Sequence, residues 1–170
     1  MRVIDGVNTI TCLDSKSEAS TFISERLLRQ FTVIGLEGFD SESATHIFKT
    51  LFEIESNNWP SQVGAHIPKL ANALDRLFNQ CFEHLKPTPM KVHYTFNYRE
   101  CFKFVTSFCK IEGNYLKNEA NVVKLFYHEA MRQYADKILM KHDYQWFVDT
   151  LKQVCYDCFT LVPEDDEAVK

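Results

Sequence analysis

Glycine and proline are scarce, five of each in 170 residues, which excludes a collagen-like or low-complexity chain. No apolar run approaches the roughly 20 residues that a membrane-crossing helix needs, so no membrane partner is expected. The opening Met1-Arg2-Val3-Ile4-Asp5 lacks the long apolar stretch of an export signal, and the six cysteines are therefore expected to be reduced, cytoplasmic thiols. Basic residues are not in excess: 19 Lys and Arg face 23 Asp and Glu, a net charge of -4. That balance argues against a dedicated nucleic-acid binder, whose affinity rests on a basic face. Also missing are a glycine loop leading into Lys-Ser/Thr, a Gly-x-Ser-x-Gly elbow and a His-Glu-x-x-His pair. No catalytic residue is assigned.

What remains is apolar and aromatic enough, at 45% and 14%, to fill a core for one domain, or one domain and a fragment of another. Asn8 to Leu13 and Phe31 to Leu36 are β-branched and apolar and read as two short buried strands, with a polar loop at Asp14 to Thr21 and a helical turn or two at Ser24 to Gln30. Two strands make no stable sheet alone, so another chain or a larger whole must complete it. From Asp40 the pattern is helical. Asp40 or Ser41 caps a helix presenting Ala44, Ile47, Phe48, Leu51 and Phe52. The longest stripe runs from Val63 through Ile67, Leu70, Leu74, Leu77, Phe78 and Phe82 to Leu85, with Pro68 in the first turn and Pro87 and Pro89 as the stop. After an extended His93 to Phe96, Asn97 caps a helix carrying Cys101, Phe102, Val105 and Phe108. A further helix is expected from about Glu119 to Met140. The last is expected to be capped by Asp143, with an acidic, solvated tail from Pro163 to Glu167.

Few side chains carry possible chemistry. Cys155 and Cys158 have metal or redox spacing, but no second pair supports zinc, and they sit at the close of a helix instead of its start. No metal is expected; the pair reads as a half-buried thiol couple with Cys155 inward. Arg99 follows the cap residue Asn97, where backbone N–H groups point outward and a guanidinium could fork onto phosphate. The competing reading pairs it with Glu100 or Glu112 at the surface, and chemistry alone favours that one. Arg26 and Arg29, a turn apart ahead of a strand, could reach a neighbour's nucleotide, or Glu25 could neutralise one of them. Glu129, Arg132 and Asp136 share a helical stripe and read as a solvated face or a structural ion network.

The run Pro87-Thr88-Pro89-Met90-Lys91-Val92-His93-Tyr94-Thr95-Phe96-Asn97-Tyr98-Arg99-Glu100 resembles a signature of dynein heavy chains, in the lid of the third AAA+ module of the motor ring and closer to axonemal than cytoplasmic forms. Ser24 to Phe31 resembles the Arg-Phe-x-Arg-His-Phe segment of that family, and Tyr127 to Lys137 its His-Glu-x-x-Arg-x-x-x-Asp-Arg helix. The resemblance implies a mostly α chain: a helical AAA+ lid bundle attached to the last strands of an incomplete α/β AAA+ large subdomain. Residues 1–36 would be the remnant of that subdomain, 37–155 the lid and 156–170 an acidic tail or linker. Arg99, with Asn97, would sense the terminal phosphate from the lid, and Arg26 or Arg29 would serve as an arginine finger on the next module. The isolated chain would need no cofactor, an intact ring ATP or ADP with magnesium. Partners would be neighbouring AAA+ modules and, indirectly, the microtubule-associated complex; the location would be cytoplasm and cytoskeleton, or cilium and axoneme.

The chain departs from the pattern in several places. The phosphate loop and the magnesium-binding acidic strand would lie ahead of Met1, and Ser15 to Thr21 stands where the family has a glycine-rich loop. The aspartate after the sensor arginine is Glu100, the histidine before the strand is Gln30, and the later arginine is Lys137. ATP hydrolysis by this chain alone is not expected. The alternatives are a free-standing helical protein-interaction domain derived from such a lid, and a small metalloprotein using Cys155 and Cys158.

Overall fold

The computed structural model describes residues 6–13, 23–56, 59, 61–116 and 118–161, and the chain divides between Gly38 and Phe39. In the first unit one short helix forms, α1 (Glu25–Leu28), which buries none of its residues. The two expected strands are not formed: 8–13 and 31–36 carry no strand pairing, and no strand occurs among the described residues. Composition favours β structure there, but a strand exists only through its neighbour, and two short ones cannot make a lasting sheet. Val33, Ile34 and Leu36 accordingly stand 73–91% exposed. The expected loop at 14–21 and the tail at 163–167 lie outside the described residues.

The second unit is a helical bundle. Its long helices are α2 (Ser41–Glu55), α4 (Ile67–His84), α5 (Tyr98–Phe108), α6 (Glu119–Gln133) and α7 (Lys141–Phe159), with a single turn, α3 (Ser61–Gly64), before α4. Asp40 caps α2, its Oδ1 accepting from the Ser43 N–H at 3.3 Å, and Phe39 stands just before the cap. Helix α2 packs on α4, α4 on α7, α7 on α6, α6 on α5, and α5 back on α2, so the five long helices close a circuit around one core. Leu70, Ala71, Leu74, Leu77 and Cys81 form the buried stripe of α4, spaced at threes and fours. Aromatic rings fill the interior: Phe104 meets Phe126 at 5.1 Å, Phe126 meets Phe159 at 6.0 Å, and Phe52 meets Phe108 edge-on at 5.7 Å.

Four details differ from the sequence reading. Val63 lies in α3, and a turn at 65–66 separates it from α4. Helix α6 stops at Gln133 instead of running on to Met140; a 3₁₀ turn, Ala135–Lys137, keeps Tyr134 and Ile138 inside, so the apolar stripe continues where the α-helix does not. Met140, not Asp143, occupies the cap position of α7, with no side-chain bond. Helix α7 extends to Phe159, 1% exposed, and closes on Thr160 in the left-handed conformation.

Candidate functional site: the start of helix α5

Between α4 and α5 the chain runs without regular structure from 86 to 97, and the end of this strap sets where α5 begins. Asn97 is extended, and its Oδ1 accepts from the Arg99 N–H at 3.0 Å. That bond satisfies one of the orphan donors of a helix start. Tyr98 turns inward and lies 4.6 Å from the Phe78 ring and 5.3 Å from Phe39, while Arg99 points outward and is exposed. Among the described residues Arg99 has no ion-pair partner. Glu100 is turned in, 8% exposed, and is held by Lys137 at 3.0 Å and Lys103 at 3.8 Å; it is not paired with Arg99.

The strap is fastened at a second point. Asp143 Oδ2 accepts from the Lys91 ammonium and, at 3.1 Å, from the Tyr94 hydroxyl. Asp143 is therefore an ion-pair and hydrogen-bond anchor in the first turn of α7, where the helix dipole also favours a carboxylate. The Lys91 bond, helped by Tyr94, holds its carboxyl below the usual aspartate range in spite of its burial. Phe96 stacks on Tyr134 at 5.8 Å, and the Lys137 ammonium lies 5.6 Å from the Phe96 ring. Tyr134 contacts Cys101 Sγ at 3.3 Å; burial raises the phenol well above its ordinary value and pushes the thiol to about 12.

The other expected site residues are less gathered. Arg26 lies in α1 and Arg29 at its end; both are exposed, and among the described residues neither is ion-paired. Cys155 is buried and its thiol pushed up to about 12 by desolvation, whereas Cys158 is partly exposed, near the end of α7. Glu129 faces inward, 5% exposed, with its Oε1 3.4 Å from His128 and 3.9 Å from Arg132, and among the described residues its Oε2 has no hydrogen-bond partner. Asp136 does not join it, because α6 ends before it and the helical spacing from Arg132 is lost.

Sequence reasoning missed three features. The Glu100–Lys137 and Lys91–Asp143 pairs link residues 37 and 52 positions apart, beyond any local pattern. A groove of about 180 Å³ between α2 and α5 is lined by Phe39, Ile47, Leu51 and Phe102, so Ile47 and Phe102 are half exposed instead of core. Phe39 beside the cap Asp40 was the available signal, since an apolar residue there packs on the first turns of the helix.

The family model for "Dynein heavy chain, ATPase lid domain" matches residues 46–144. Similar relatives are the human dynein axonemal heavy chain 12, 27% identical over 81% of this chain, and the human dynein axonemal heavy chain 3, 23% identical over 88%. The human dynein axonemal heavy chain 6 is 26% identical over 74%. The chain spans only 3–4% of the length of these relatives.

Proposed function

The chain belongs to the dynein heavy chain family by its ATPase lid domain, and we propose that it acts there as a nucleotide-sensing lid in a ring of AAA+ modules. The observation that carries this is Arg99: exposed, without an ion-pair partner among the described residues, and rooted in a helix turn whose cap and neighbours are fixed. A guanidinium so placed suits a phosphate oxygen of ATP or ADP. Asn97 supports it through the backbone. Arg26, with Arg29 as the other candidate, would extend toward the nucleotide of the neighbouring module as an arginine finger does. Magnesium would have to be held by other parts of such a ring, since this sequence offers no phosphate-cradling glycine loop beside an acidic strand. Movement of the lid with nucleotide state would then feed ring mechanics and microtubule-based motion. The axonemal names of the relatives support a place in the cytoskeleton of the cilium.

On this reading the isolated chain turns over no ATP. A hydrolysis assay with magnesium and ATP should stay at background; turnover above background that Arg99→Ala removes would overturn the proposal. The apolar groove at Ile47 and Phe102 favours one other reading, a free-standing helical interaction domain. Recovery of a stable partner unrelated to dynein, lost on Phe102→Glu, would select that reading.

A further inference from the structure

We propose that Glu100 and Lys137 act as one positioning pair that sets the direction in which Arg99 leaves α5, an inference that rests on Arg99 being a phosphate contact. Adjacent helical residues are about 100° apart around the axis, so fixing the azimuth of Glu100 fixes that of Arg99. Glu100 is nearly buried, and its Oε2 lies 3.0 Å from the Lys137 ammonium. That same ammonium stands over the ring of Phe96. Lys137 thus grips the chain on both sides of the Asn97 cap, at Phe96 before it and at Glu100 after it. Without Lys137 the carboxylate keeps, among the described residues, only Lys103 at 3.8 Å, a mostly exposed side chain. A buried carboxylate left so poorly paired is costly, and the first turn would rotate to hydrate it, carrying Arg99 along.

Amide exchange and NMR on the isotopically labelled 170-residue chain test the pair without nucleotide. Glu100→Gln and Lys137→Met should each speed exchange of the Arg99 amide about tenfold and move the Arg99 Nε–Hε signal, while α4 amides keep their protection. The double variant Glu100→Gln/Lys137→Met should be no worse than the more severe single, and Glu100→Asp/Lys137→Arg should recover to within about twofold. Unchanged exchange at Arg99 in both singles, additive effects in the double, or loss of protection throughout α4 would overturn the proposal. A second arm adds pyrophosphate to the unmutated chain. A shift at Arg99 Nε–Hε supports both readings. Silence there, with the exchange results as expected, upholds the positioning pair and removes the phosphate role instead.

Discussion

Asp143→Ala strikes the point where the strap is fastened to α7. The substitution leaves the Tyr94 hydroxyl, in a side chain only 1% exposed, without its acceptor. An orphaned buried donor costs about 1–3 kcal/mol. The Lys91 ion pair is partly exposed and adds up to about 1 kcal/mol. The total is roughly 1–4 kcal/mol, set against the ~5–15 kcal/mol that holds a domain of this kind together. The variant should therefore fold, with its urea midpoint lowered by roughly 0.5–2 M and an unchanged slope. Tyr94→Phe, which removes the donor as well as the bond, should cost only about 1 kcal/mol. Combined with Asp143→Ala it should cost about 1–2 kcal/mol less than the sum, because no orphan is left behind. The pH dependence has a definite sign. The folded carboxyl lies below its ordinary value, so its contribution is complete above about pH 4 and is lost as acid takes the pH down through the folded value. The difference between variant and parent should shrink over that interval. Additive single-variant costs, or a difference that grows on acidification, would refute the reasoning.

Glu129→Met replaces a buried carboxylate, one oxygen of which has no hydrogen-bond partner among the described residues, by an apolar chain of similar length. It should be neutral or stabilising by about 1–2 kcal/mol in thermal or urea unfolding, and a loss of more than about 1 kcal/mol would show a donor that the present geometry lacks. Amides at 32–36, exposed and without strand pairing, should exchange far faster than those at the centre of α4; equal protection would mean that the first unit has found a sheet.

The parts of this molecule that are written locally were legible in the sequence. The stripe of α4 and the caps at Asp40 and Asn97 depend on residues within a turn or two, and the structure has them where spacing puts them. The strands were misread because β-branched composition reports suitability for a sheet, whereas the sheet itself needs partners that the segment does not contain. Asp143 was misread as a cap because a short carboxylate near a helix start looks the same whether its donor is the local backbone or Lys91, 52 positions away. Helix α6 was drawn too long for a related reason: Tyr134 and Ile138 obey helical spacing, and a tighter turn satisfies that spacing equally well. Ile47, Phe82 and Phe102 lie on apolar stripes yet remain exposed, since a stripe can be wider than the neighbour that covers it. The pair at Glu100 and Lys137 had no local signature at all. Only the fold brings a helix start and a later 3₁₀ turn together.

The two fastenings of the strap bear on how a signal at Arg99 would travel. Lys91 and Tyr94 tie the strap to the first turn of α7, and Lys137 ties the first turn of α5 to the junction between α6 and α7. Below that turn the rings of Phe96, Tyr134 and Phe147 stack in sequence, at 5.8 and 6.2 Å, into the core. A close-packed interior of this kind yields little to a local pull. A phosphate drawing on Arg99, as proposed, would find no slack in α5 alone. On that proposal the closed circuit of five helices would pass the displacement from each to the next, and the bundle would answer by moving as a body. Weakening Glu100–Lys137 would put slack at the very first link, and the bundle could then stay still while Arg99 moved.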